Sequence, residues 1–405
     1  MKYAIENNFD TLTLLHGDGQ YAPEIIHDLI NFHVQNKSSL TLGSRMINKK
    51  DALKGRMPIY KFIGNIILTK TQNLILKTNL SEFHTGYRVY SINTLSNCKF
   101  FLNSNNYHFD TEIIIQHIAN NYKISEFAIP TYYGDEISYV NGLHYAFNII
   151  KQTILYKLQK LGIFYSEKYN HIIEQYEDKS NFYSTHQLAI SKVNSNSSII
   201  DIGSSNASYL NFLKRKKNCY IKTVNKYQNL KNPNVDEEEI IDLDYELPKN
   251  IKKFKYIFLL DIIEHLKEPE VFVKNLYNEL DQNHKIIAST ANISFLIIRL
   301  MLFFGFFNYG NRGILDKTHT RLFTFSSFKK LFINYFEIHE TRGIPAPFPL
   351  ALGENIFSKL LLKINIFLIK ISKSLFSYQI YLILKPKPSL KNLLKETIKY
   401  SESIK

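Results

Sequence analysis

The stretch Leu14–Glu24, LLHGDGQYAPE, constrains the front of this chain more tightly than any other. An apolar and β-branched run, Thr11–Leu15, stops abruptly at His16-Gly17-Asp18-Gly19, as a buried strand does when it delivers polar side chains to its carboxyl edge. In open α/β sheets that edge is where ligands bind, and Pro23 with Glu24 reads as the first turn of a helix reaching about Gln35. Asp18 and Gln20 lie two apart, so both can face one hard cation. Mg or Mn bridging carboxylate and diphosphate oxygens is the chemistry such a strand end serves. An ordinary Asp-Gly turn capping a helix accounts for the same residues.

Further segments follow in order: Leu42–Met46 (LGSRM), Tyr60–Thr69 (YKFIGNIILT), Ser81–Tyr90 (SEFHTGYRVY), Phe109–Glu112 (FDTE) and Ile129–Glu136 (IPTYYGDE). Together with LLHGDGQYAPE they resemble family 2 glycosyltransferases. The similar branch moves a sugar from a nucleotide diphosphate to a polyprenyl phosphate and carries D-x-D-x-Q followed by x-P-E. His16 stands here at the first Asp of that pattern. The resemblance implies a metal at Asp18 and Gln20, substrate phosphate at Arg45, Lys61, Asn65 and Arg88, and Glu82 as a catalytic residue beside the sugar. A fixed guanidinium presents paired donors to phosphate oxygens, which suits Arg45 to that role. In the resembled family a nucleotide-gripping half precedes the metal-binding strand. A separate polypeptide supplying that half is therefore an expected partner, and a sheet without its first strands would expose an unpaired edge.

A chain of 405 residues is too long for one typical core, so two domains of about 150–200 residues are expected. The net charge of +14 admits nucleic acid, acidic lipid or phosphorylated substrate as partner. Lysines are spread throughout and form no localised basic stripe, so nucleic acid is not expected. Cys98 and Cys219 have no metal-ligand spacing and suggest a reducing compartment.

The second domain opens at Ser198–Tyr209, SIIDIGSSNASY, where an apolar strand ends in Asp201 and Gly203 makes the tight turn. The small residues after it let backbone amides approach a ligand ahead of a helix. This stretch, with Tyr220–Asn225, Ile240–Pro248 (IIDLDYELP), Tyr256–Pro269 (YIFLLDIIEHLKEP) and Gly313–Thr324 (GILDKTHTRLFT), resembles class I methyltransferases. The similarity runs over about residues 183–384. It implies S-adenosyl-L-methionine as cofactor, held by Asp201, Gly203, Ser205, Asn225, Asp242 and Asp261. Asn225 stands where that family usually has an acidic residue for the ribose hydroxyls, and Asp242 where the adenine amine is bound. His265, His319 and Arg321 are the implied catalytic residues near the methyl acceptor. Taken by itself, His265 is equally a general base or a satisfied structural histidine.

Two apolar stretches remain. Ile293–Phe307 is shorter than the ~20 residues that cross a bilayer. Ile356–Leu375 alternates lysines with Ile, Leu and Phe at helical spacing, the pattern of an interfacial helix, although a core-packed lid helix gives the same pattern. The expected fold class is therefore α/β: a partial GT-A-type nucleotide-sugar transferase domain over 1–165, a helical connector over 166–197, a Rossmann-like class I methyltransferase domain over 198–386 and a basic tail over 387–405. The expected function is a transferase of envelope glycan or lipid-linked sugar assembly, with a sugar or lipid-linked glycan acceptor. The expected location is cytoplasmic, peripheral on the inner face of the membrane. The alternatives are a methyltransferase whose front portion is a docking platform, a glycosyltransferase active only with its separate half, and a noncatalytic membrane-surface protein.

Overall fold

The computed structural model describes residues 1–17, 19–134, 141–160, 162–170, 182–203, 209–227, 234–349, 353–388, 394 and 397. The expectations for Asp18 and Ser205 lie outside the described residues. Two compact units emerge, one of Met1–Lys160 with Phe164–Glu174, the other of Leu161–Ile163 with Gln175–Lys405.

The first unit is built on four strands, β1 Thr11–Leu14, β2 Leu40–Ser44, β3 Arg88–Ser91 and β4 Ile124–Ala128, in spatial order β1-β3-β2-β4. β3 runs antiparallel to both β1 and β2, while β2 and β4 are parallel. Every residue of β2 is buried, as a strand covered on both faces must be, and every residue of β1 at the rim is half-buried. The long helix Ile59–Leu76 starts behind Pro58, whose fixed φ and missing N–H suit a helix entry, and stops where Lys77 turns left-handed at φ 60°. Leu40, Leu42, Phe83, Tyr90, Ile113, Ile114 and Ile115 pack in the core with Tyr156 and Tyr169.

The second unit carries seven strands: β5 Ser198–Ile202, β6 Tyr220–Asn225, β7 Glu237–Ile240, β8 Tyr256–Leu260, β9 Lys285–Ala291, β10 Phe336–Ile344 and β11 Gln379–Pro386. Their spatial order is β7-β6-β5-β8-β9-β11-β10. The first five in that order are parallel, and β11 and β10 close the edge as antiparallel strands. Alternation of the strand side chains supplies two cores. Ile200, Ile202, Ile257 and Leu259 face one cluster with Phe272, Leu276 and Phe328, and Ile199, Tyr256, Phe258 and Leu260 face the other with Leu188 and Leu213. Helices thus cover both faces, the doubly wound arrangement in which strand order reverses at β5 and opens a crevice beyond the carboxyl ends of β5 and β8. The helix Thr185–Ser191 belongs to this unit's core through Leu188 and Ala189.

Ile263–His265 is a short 3-10 turn, and the helix begins only at Pro269, a residue suited to a first helical position. The apolar run after Ile293 forms one short helix, Leu296–Phe303. No helix among the described residues is long and apolar enough to cross a membrane.

Candidate functional site

The candidate residues of the second unit gather at the carboxyl ends of adjoining parallel strands. Asp201 is on β5, Asn225 ends β6, Asp242 follows β7 and Asp261 follows β8. Asp201 is buried and accepts a hydrogen bond from the Tyr209 hydroxyl, whose ring stacks on His186 with centroids 4.4 Å apart. Gly203 has φ +88°, and a Cβ there would lie 2.5 Å from the Ile262 side chain. The glycine is therefore required by the chain's own backbone and by Ile262, before any ligand is considered. Asp261 is itself left-handed, φ 54°, and its carboxylate accepts from Ser289 Oγ at 2.7 Å and from Gln379 Nε2 at 2.5 Å. Asp242 is half-exposed and pairs with Lys226 Nζ at 2.9 Å. That lysine's hydrogen bond draws its carboxyl below the ordinary range.

Glu264 was not singled out beforehand, although the D-x-x-E-H pattern contains it. It is 2% exposed, and its Oε1 accepts from the Ala291 amide at 3.2 Å. The Thr290 hydroxyl is a further hydrogen-bonding neighbour of the carboxyl. Burial, with the Asp261 charge beside it, pushes its carboxyl up to about 8. At neutral pH it is largely protonated and can donate a hydrogen bond at the mouth of β8. Its carbonyl accepts from the amides of Thr320 and Arg321, which ties the late loop to the end of β8. By that tie His265 and His319 meet edge to face, ring centroids 4.8 Å apart. His319 Nδ1 lies 3.0 Å from the Ile314 carbonyl, and burial followed by the neighbouring His265 lowers its pKa below the ordinary histidine value. Arg321 turns onto the Lys267 carbonyl, at 3.2 Å, and towards Glu270.

In the first unit the structure joins Arg45, Asn65 and Glu82, with Lys61 one contact away. Glu82 is fully buried and receives the Arg45 amide at 2.8 Å, Arg45 Nε at 3.0 Å and Asn65 Nδ2 at 2.7 Å. Burial pushes the Glu82 carboxyl up, and the guanidinium outweighs it, so the group titrates below the ordinary carboxylate range. Arg45 also donates to the Tyr133 hydroxyl at 2.8 Å and to the His84 carbonyl at 2.7 Å. Lys61 Nζ sits 5.4 Å from the centroid of the same Tyr133 ring. Glu126 on β4 positions this cluster by accepting from the Ser81 and Glu82 amides, at 2.9 and 3.1 Å. Burial lowers the His84 pKa to about 4, so its ring is neutral at physiological pH. Arg88 stands apart. It is wholly buried and donates to the carbonyls of Thr85 and Asp110 at 2.7 and 2.9 Å, with the Asp110 carboxylate at 3.3 Å. Tyr133 belongs to the IPTYYGDE segment, whereas Glu126 had no motif to announce it; its place on β4, paired with β2, brings it in.

At the strand end that opens the chain, the His16 ring occupies the space a Cβ on Gly86 would need, as close as 2.3 Å, and meets Tyr21 edge to face. Gln20 lies beside the bridge that pairs Tyr21 with Thr131. No group of three or more His, Cys, Asp or Glu among the described residues could hold a metal ion. Asp18, the carboxylate of the expected metal pair, lies outside the described residues.

The second unit is a Rossmann-like α/β domain whose parallel sheet ends in two antiparallel strands. No family model matches the chain. A UDP-N-acetylglucosamine–dolichyl-phosphate N-acetylglucosaminyltransferase of Methanococcus voltae is 27% identical over 163 residues, which make up 40% of this chain and 64% of that enzyme. The chain thus spans less than two thirds of the curated relative it matches. Among solved structures, an S-adenosylmethionine-dependent methyltransferase from Mesorhizobium loti has TM-score 0.34 and 9% identity, covering 50% of this chain and 98% of that one. The cyclopropane synthase MmaA2 from Mycobacterium tuberculosis has TM-score 0.34 and 11% identity, over 50% and 82% of the two chains.

Proposed function

We propose that the second unit is an S-adenosylmethionine-dependent methyltransferase. The observation that carries this reading is the convergence of Asp201, Gly203, Asn225, Asp242, Asp261 and Glu264 at the carboxyl ends of β5 to β8, where strand order reverses. The buried Glu264 carboxyl, raised by burial and by the Asp261 charge, adds a polar group at the same strand ends. Asn225 and Asp242 would hold the polar groups of the adenosine, and the Gly203 turn would let the backbone approach. The cofactor supplies a methyl group on a positively charged sulfur. His319, kept neutral by its surroundings, can take the proton that a hydroxyl or amine acceptor loses on methylation, with His265 beside it.

The relative's printed activity supports a lipid-linked sugar as the acceptor class and a place in glycan assembly. The first unit would then serve as the acceptor-recognition domain. A second reading, a sugar transferase completed by another polypeptide, draws on β1. That strand pairs only with β3 among the described residues, so its outer edge is open to a further strand.

Calorimetric titration of the full chain with S-adenosylmethionine and with its demethylated product tests the first reading. Saturable binding is expected, weakened at least about tenfold in Asp242→Ala through loss of one charge-assisted hydrogen bond. A folded wild-type chain that takes up neither compound overturns it.

A further inference from the structure

The helix Ile356–Ile371 is built inside out. Its inward side is formed by Ser358, Asn365 and Ile369, which are buried. Ile356, Leu360, Ile364, Phe367 and Ile371 recur every three or four residues, so they form one stripe, and that stripe faces outward with exposures from 46% at Ile364 to 89% at Ile356. The orientation is fixed by hydrogen bonds. Asn355 and Ser358 form a capping box at the start, and Asn365 accepts from the Ala346 amide and donates to the Phe376 carbonyl, both at 2.9 Å. Rolling the helix to bury its apolar stripe would orphan those groups, so the exposed stripe is a settled feature of the fold.

A second apolar patch lies in the same unit. Phe303 ends the helix Leu296–Phe303, Phe304, Phe306 and Phe307 follow it, and all four are exposed. The two patches share a foundation. Asn292 donates to the carbonyls of Ser374 and Ser377 at 2.9 and 2.8 Å, and Phe295 packs edge to face on Tyr378.

We propose that these two patches dock the second unit on an anionic lipid bilayer, with Ile356–Ile371 lying in the interface plane. The charge pattern selects this occupant. Lys359, Lys363 and Lys370 flank the apolar stripe, are exposed, and form no ion pair among the described residues, and the helix contains no acidic residue. A second copy laid face to face would bring lysines against lysines. Anionic headgroups above an acyl interior offer negative charge beside apolar surface, which is what this stripe presents in complement. The docking does not depend on the methyl-transfer reading.

The chain contains no tryptophan, so Phe367→Trp creates a single fluorescent reporter on the stripe. The full chain is floated with phosphatidylcholine vesicles made with and without phosphatidylglycerol. It should float with the anionic vesicles, with a blue shift of the reporter, and be released by salt. Ile364→Asp with Phe367→Asp, both at exposed sites that should leave the thermal transition intact, should cut partitioning at least about tenfold. Lys359→Gln and Lys363→Gln should each cost roughly fivefold. The proposal is overturned if the chain stays in the lipid-free fraction, if the aspartate variant floats like the wild type, or if the aspartates instead split a concentration-dependent dimer.

Discussion

Replacing Arg45 by Met isolates the energetics of the buried cluster in the first unit. Glu82 is fully buried, and the guanidinium supplies its ion pair, while the Arg45 amide and Asn65 supply the remaining donors. Removing one partner of such a pair leaves an uncompensated buried charge, at a cost of about 3–5 kcal/mol. For a unit of this size that lowers the calorimetric transition by roughly 6–20 °C near neutral pH. The pH dependence separates this from mere loss of packing. In the wild type the folded Glu82 carboxyl titrates below its unfolded value of about 4.3, so its contribution is complete above that value and lost as pH falls through the lower, folded one. In Arg45→Met the buried carboxyl has lost its cation and titrates upward, so the variant regains stability on acidification towards about pH 5. Arg45→Met with Glu82→Leu removes both charges and should recover most of the loss. Scanning calorimetry, with hydrogen exchange on peptides spanning 42–46 and 81–90, reads these outcomes. A transition lowered by less than about 2 °C, or a deficit that is equal at about pH 5 and about pH 7, refutes the reasoning.

In the second unit, Gly203→Ala should destabilise the ligand-free chain by about 1–3 kcal/mol, because alanine meets Ile262 and must hold φ near +88°. Adding Ile262→Ala should restore the steric part alone, and a thermal midpoint equal to wild type in the single variant would contradict the contact. Glu264, its folded carboxyl raised to about 8, holds a proton that the unfolded chain releases above about 4.3, so stability should fall as pH rises between those values. Urea midpoints should decline by the equivalent of roughly 1–3 kcal/mol from about pH 6 to about pH 8 in the wild type, and Glu264→Gln should flatten that slope.

What could be read from the sequence was local in the chain. The strand of Ser198–Ile202, the turn at Gly203 and the strand Tyr256–Leu260 announce themselves because apolar runs end in Asp or Gly within a few residues. The partners that finish the site come from far away. Gln379, which holds Asp261, sits on β11, and that strand reaches the site only because it pairs antiparallel with β9. Lys226 finds Asp242 because β6 and β7 run parallel with Asn225 beside Ile240, a register that periodicity cannot supply. The Ile356–Ile371 helix was legible as amphipathic, but not which face turned inward. That was decided by Asn365 and Ser358, whose hydrogen bonds outweigh the exposure of the Ile and Phe stripe.

The same logic bears on the phosphate-binding roles that the first unit's resemblance implies. Arg88 is sealed in the core, where carbonyls and Asp110 take its donors, so a phosphate could reach it only through local unfolding. Arg45 is different in kind. Its Nε and Nη2 both converge on Glu82 Oε1, so a phosphate oxygen could take that place, but the exchange strands the Glu82 charge. Asn65 alone cannot hold that charge, and the exchange therefore demands a proton on Glu82 or movement of the 81–86 loop away from Glu126. Lys61 carries no such cost. Half-buried over the Tyr133 ring, it can swing to an incoming phosphate while leaving the Arg45–Glu82 pair in place. Were a phosphate to approach this unit, Lys61 is thus the cation that could turn to it at least cost, while Arg45 and Glu82 keep Tyr133 and Asn65 in place.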